Sequence, residues 1–205
     1  MGINEILNYI LHVEHGFQHI IDGADEIFSA NSREQCFEVA LELFRNDAYQ
    51  ARMLATTLLG RLAIEDNDAL RFLKEQVSTD KNWRVQEMLA KAFDEICKNR
   101  GYEKRFYLIE NWLDDDNPNV VRAVTEGLRI WTSRPFFKEN PSLAIALIAK
   151  HKVHESEYLR KSVGNALRDI SKKHAELIRN EVQQWDLSNP RRILFTYKLA
   201  AKLLK

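Results

Sequence analysis

Asn82-Trp83-Arg84-Val85-Gln86-Glu87-Met88-Leu89-Ala90-Lys91-Ala92-Phe93 reads as a helix with two faces. Val85, Leu89 and Phe93 fall on one apolar stripe, and Trp83 and Glu87, four residues apart, fall on another. Core packing accounts for the first stripe. It does not call for a large aromatic paired with a carboxylate on the second. The stretch also recurs along the chain. Arg52-Met53-Leu54-Ala55-Thr56-Thr57-Leu58, Arg122-Ala123-Val124-Thr125-Glu126-Gly127-Leu128 and Lys161-Ser162-Val163-Gly164-Asn165-Ala166-Leu167 stack on it without gaps. In each, an aliphatic residue (Leu54, Leu89, Val124, Val163) precedes a small one, and a large apolar residue follows three positions later. The anchors are separated by 89−54 = 35, 124−89 = 35 and 163−124 = 39 residues.

Paired helices repeating at such a period predict an all-α, HEAT-like α-solenoid of antiparallel helix pairs, the second helix of each pair lining a concave groove. The rest of the chain supports an all-helical reading. Residues 3–28 read as one or two helices interrupted near Gly16 and Gly23. Ser32, with Gln35 three residues on, caps a helix reaching about Phe44. Further helices are expected over 48–64, 69–77 (capped by Asp66 or Asn67), 82–98, 102–113, 119–131, 155–171, 174–185 and 190–204. Gly101 follows one of them as a C-cap glycine. Asn140 is expected to cap a helix with Pro141 at its first position. No low-complexity segment or long linker appears, so residues 1–205 are expected to form a single repeat domain.

Composition narrows the function classes. Gly (7) and Pro (4) are scarce and 29% of residues are charged, which leaves little to punctuate strands. No apolar run approaches the roughly 20 residues of a membrane span, and no signal sequence opens the chain. Cys36 and Cys97 both lie in helical patterns, as reduced thiols do, and the expected location is cytoplasmic. Net charge is zero but unevenly spread: residues 1–50 carry 2 basic and 9 acidic side chains (2−9 = −7), and residues 151–205 carry 12 and 6 (12−6 = +6). Such a dipolar chain can present a basic surface at zero mean charge. The competing reading is an acidic solvated face on the N-terminal helices.

Two positions before each aliphatic anchor stand Arg52, Glu87, Arg122 and Lys161, with Arg84 and Arg160 nearby. On inner helices this series would line a basic groove suited to phosphates. A solvated helix face explains the same residues. His12, His15 and His19 have metal-ligand spacing provided the helix runs through Gly16, but no Cys or Asp joins them, so no metal site is expected. His151 and His154 lie in a connecting stretch and are read as surface residues. Trp112 and Trp131 end helices and are read as packing residues. Arg191 and Arg192 open a basic last helix. No phosphate-binding glycine loop or nucleophile elbow is present.

The central motif, with Lys-Ser-Val-Gly-Asn-Ala-Leu-Arg-Asp at 161–169, resembles the HEAT-repeat DNA alkylation repair family, the AlkD-like DNA glycosylases, over roughly 45–200. The resemblance implies hydrolysis of the bond between an alkylated purine and deoxyribose, with no cofactor or metal. Its Trp-x-x-x-Asp falls on Trp83 and Glu87, the catalytic candidates. Its DNA-contacting Arg falls on Arg122, and the Lys of its Lys-x-x-Gly-Trp falls on Lys161. Two residues depart from the pattern: Glu87 is one methylene longer than Asp, and Asn165 stands where a second Trp is expected. The chain is also shorter than the pattern by roughly one N-terminal helix.

In that chemistry the alkylpurine is already a cationic leaving group, and positive charge moves onto the sugar as the bond breaks. A carboxylate about 3–4 Å away favours that charge, and a Trp face adds of order 1 kcal/mol. With Asn165 in place of an aromatic wall, the preferred reading is a DNA-binding protein with weak or no base excision. It would contact double-stranded DNA, damaged or branched forms included, through Arg52, Arg84, Arg122, Arg160, Lys161 and Asn165, as a monomer and away from membranes. The alternatives are an active alkylpurine DNA glycosylase and a HEAT scaffold for protein partners.

Overall fold

A computed structural model describes residues 2–188 and 190–204. The helices are α1 (Ile3–Leu11), α2 (Gln18–Ala30), α3 (Arg33–Phe44), α4 (Tyr49–Leu62), α5 (Asn67–Glu75), α6 (Trp83–Arg100), α7 (Phe106–Leu113), α8 (Pro118–Gly127), α9 (Pro135–Glu139), α10 (Pro141–Ala149), α11 (Glu157–Ser171), α12 (Ala175–Gln183) and α13 (Pro190–Ala200). Among the described residues there is no strand. The chain divides into two compact units, residues 1–100 and 101–205.

In the first unit α4 is the centre, and α2, α3, α5 and α6 pack on it. Its run from Met53 to Gly60 is buried throughout. The hydroxyls of Thr56 and Thr57 are satisfied inside the helix, donating to the carbonyls of Arg52 and Met53. α6 buries Val85, Leu89 and Phe93, the expected stripe, together with Ile96, while Trp83 stays exposed. Gly60 sets how closely the two helices approach: a Cβ there would lie 2.6 Å from the Cβ of Ala92.

The caps explain the local boundaries. Ser32 accepts from the Gln35 N–H and Gln35 answers to the Ser32 N–H. The Asp66 carboxylate accepts from the N–H groups of Asp68 and Ala69. Gly101 adopts φ +88°, open to glycine without strain. The interruption expected near Gly16 is present: α1 ends at Leu11 and Gly16, at φ +92°, lies in the connection to α2, so His12, His15 and His19 do not share a helix. Among the described residues no group of three or more His, Cys, Asp or Glu is placed to hold a metal. Gly23 interrupts nothing; it lies inside α2, where Ile6 and Ile10 pack against its backbone.

In the second unit α11 is the centre, and α8, α10, α12 and α13 pack on it. Gly164 admits α13 so closely that a Cβ would meet Leu199 Cβ at 2.6 Å and the Thr196 carbonyl at 3.0 Å. Trp112 and Trp131 are buried, as expected of packing residues, and the Trp131 indole N–H donates to the Thr125 carbonyl at 3.1 Å. Asn140 takes the N-cap position of α10 with Pro141 first in the helix, as expected, but its side chain makes no capping bond; its amide donates back to the Phe136 carbonyl. His151 and His154 are half-buried rather than surface residues. Burial, aided by neighbouring His154, pushes the His151 imidazole down to about 4. Cys36 and Cys97 are both buried and no disulfide joins them. No helix among the described residues is long and apolar enough to cross a membrane.

Gly60→Ala forces α4 and α6 apart, and we expect it to lower unfolding free energy in urea by about 1–3 kcal/mol, with no loss of helical circular dichroism.

Candidate nucleic-acid interface

The turn leading into α6 is built by side chains that reach back. Gln86, the fourth residue of α6, is 3% exposed, and its amide donates to the carbonyls of Val77, Ser78 and Asp80. The Asp80 carboxylate accepts from the Asn82 N–H through one oxygen and from Arg52 Nε at 2.6 Å through the other. Asn82 in turn accepts from the Arg84 N–H. These bonds fix the loop 77–82 and hence the direction in which α6 starts.

Trp83 opens that helix and is 51% exposed, whereas Trp112, Trp131 and Trp185 are 1%, 0% and 5% exposed. The Arg84 guanidinium stacks between two rings, 4.5 Å from the centroid of Trp83 and 4.9 Å from that of Tyr49. Glu87, half-buried, follows Trp83 by one turn. The first unit therefore brings together Trp83, Arg84 and, through Asp80, Arg52.

Arg52 is not placed as the groove series required. Its Nη1 donates to the carbonyls of Asn46 and Asp47 at 2.9 and 2.7 Å, and its Nε is committed to Asp80. Arg160 makes the same reach, its Nη1 donating to the carbonyls of His154 and Glu155 at 2.6 and 2.9 Å. Both are the fourth residue of their helix, as is Gln86. Arg52 thus corresponds to Gln86 and Arg160, while Glu87, Arg122 and Lys161 share the fifth position. The gap-free stacking slipped by one residue at Arg52, because a run of buried residues offers several equivalent anchors.

In the second unit Arg122 is 4% exposed, and its guanidinium lies 4.1 Å from the centroid of the Tyr158 ring, itself 40% exposed. Lys161 is exposed and Asn165 half-buried, one turn apart on α11. Arg160, 6% exposed, also lies 5.7 Å from the Phe195 ring. The residues that close the 161–169 motif serve the fold. Asp169 is 6% exposed and accepts from Arg129 Nε at 2.7 Å and Lys172 Nζ at 2.8 Å, tying the end of α8 to α11. Tyr49, Gln86 and Tyr158 escaped the sequence reading. Tyr158 carried a usable signal, standing three residues before Lys161 and seven before Asn165 on one helix face.

Residues 19–195 match the family described as DNA alkylation repair enzyme. The chain belongs to that family. AlkD2 from Streptococcus mutans is 46% identical, with a TM-score of 0.94 over 99% of this chain and 97% of that one. The smu.31 protein of Streptococcus mutans UA159 is 47% identical, with a TM-score of 0.88 over 92% and 93%. The helical-repeat architecture expected from the 35-residue spacing is therefore the AlkD-type fold. The fold is shared more distantly by the Pseudomonas fluorescens alkylpurine DNA glycosylase AlkC, solved bound to DNA containing an abasic site analog. That likeness, at 19% identity and a TM-score of 0.70, covers 91% of this chain and 52% of AlkC. The uncharacterised protein YhaZ of Bacillus subtilis (strain 168) is 38% identical over 92 residues, 43% of this chain, and the match spans 26% of YhaZ.

Burial would raise the Asp169 carboxyl, but the hydrogen bonds from Lys172 and Arg129 outweigh it and hold it below the usual carboxylate value. A depressed pKa contributes stability that is present above the unfolded value and lost as pH falls through the folded one. Asp169→Asn is expected to cost about 1–3 kcal/mol at neutral pH in urea titrations, a gap that closes as pH drops below about 4.

Proposed function

We propose that this chain binds double-stranded DNA, gripping its phosphates around the starts of α6 and α11, and that its base-excision activity is weak or absent. The observation that carries the reading is Trp83, the exposed one of four tryptophans, at the opening of α6 with Glu87 one turn on. A half-exposed indole stacked on a guanidinium is a surface made for contact rather than for a core. Membership of the DNA alkylation repair enzyme family supports DNA as that contact.

The cations set the strength of the grip. Arg52 and Arg160 are spent on loop carbonyls and Arg122 is buried against Tyr158, so Arg84 and Lys161 remain the phosphate contacts. Releasing counterions at about two phosphates gives a salt dependence of log K with slope of about −2, shallow for a duplex binder. Asn165 argues for weak chemistry. An amide cannot offer a sugar cation the face of an indole, and misplacement by about 1 Å costs on the order of 10²-fold in rate.

The pairing of Trp83 with Glu87 favours a second reading, an active glycosylase for cationic N3- or N7-alkylpurines. There the carboxylate would offset charge developing on the sugar. No step needs a metal or cofactor in either reading.

One preparation decides between them. Duplex affinity is measured across a salt series, and release of N7-methylguanine from methylated DNA is followed in parallel. We expect binding with a slope of about −2, flattened by about one in Lys161→Ala, and base release near background. Robust release that vanishes in Glu87→Gln, which keeps the shape and removes the charge, would establish the glycosylase instead. Absence of duplex binding at low salt would overturn the DNA reading.

A further inference from the structure

We propose that Tyr158 is a DNA-contact residue, its exposed ring face packing on a deoxyribose of a bound strand while Arg122 holds the ring from behind. The inference rests on the DNA reading above and names a contact that reading does not contain. Tyr158 is the second residue of α11 and is 40% exposed. The Arg122 guanidinium, 4.1 Å from the ring centroid and 4% exposed, occupies the inner side. A ring fixed by a buried cation is preorganised, so little side-chain freedom is lost when its outer side meets a ligand.

The ligand class follows from the neighbours. Lys161 and Asn165 stand three and seven positions after Tyr158, on the same helix face. That face offers one aromatic, one cation and one amide. A protein partner would need a larger apolar patch, which Lys161 and Asn165 do not extend. A nucleic-acid backbone presents this alternation itself: the C–H edge of a sugar for the ring and the adjoining phosphate for Lys161. Bases inside a duplex are stacked on one another, so the sugar is the apolar element within reach. The first unit carries the same device, Trp83 exposed at the first position of α6 with Arg84 stacked 4.5 Å from its centroid.

The test is fluorescence anisotropy with a labelled duplex over a salt series, using the unmodified chain, Tyr158→Ala, Tyr158→Leu and Tyr158→Phe, with thermal melts of each. A stacking contact releases no counterions. Tyr158→Ala should therefore weaken binding about tenfold at every salt concentration without changing the slope. Tyr158→Leu covers Arg122 but lacks a ring and should lose as much, whereas Tyr158→Phe should bind like the unmodified chain. If Tyr158 merely shields Arg122, Tyr158→Ala melts earlier and Tyr158→Leu binds normally, and the proposal is overturned. An unmodified chain that binds duplex, with Ala and Leu variants that bind equally well, overturns it alone. An unmodified chain that does not bind overturns the DNA reading and this contact together.

Discussion

A long donor at the fourth position of a helix, folded back onto the carbonyls of the loop before it, recurs in both units. Arg52 reaches Asn46 and Asp47, Gln86 reaches Val77, Ser78 and Asp80, and Arg160 reaches His154 and Glu155. Loop carbonyls next to a core cannot be left without partners, and each such group costs about 1–3 kcal/mol when orphaned. Meeting them from the helix that follows fixes the loop and the helix start in one step. The starts of α6 and α11 also carry the proposed contact residues, Trp83 and Arg84 on α6 and Tyr158 and Lys161 on α11.

This constraint sets up a competition for cations. An arginine serving loop carbonyls is not available to phosphates, and two of the arginines that look like groove residues are used this way. Gln86 shows that the tie itself needs donors and no charge. Arg122 is not an open cation either, since its guanidinium lies 4.1 Å from the centroid of the Tyr158 ring and the residue is 4% exposed. What remains for a polyanion is a sparse set of charges interleaved with exposed aromatics. On the DNA-binding reading proposed above, these contacts would derive more of their grip from shape and stacking than from counterion release.

Much of the fold was legible because local rules and periodicity agreed. The Val85, Leu89 and Phe93 stripe, the Ser32–Gln35 box, the Asp66 cap and the Gly101 terminus all appear as read. The site was legible only in part. Trp83 could be singled out, since its stripe lies off the core face. Arg52 and Arg160 could not be told from groove residues, because burial of an arginine depends on loop carbonyls that no spacing reveals. Repeat register was open to a one-residue slip where α4 is buried over a long run, since any of its apolar residues can serve as the anchor. Gly16 and Gly23 looked alike in sequence. The first takes a left-handed conformation in the connection between α1 and α2, and the second lets Ile6 and Ile10 approach.

The central claim, that the starts of α6 and α11 each contact DNA, is tested most directly by hydrogen–deuterium exchange of the whole chain with and without saturating duplex at low salt. The account predicts added protection in peptides covering 83–87 and 158–165, with little change over 1–50, where charge is acidic. Protection absent from both of those segments, or confined to the N-terminal helices or α13, would contradict it.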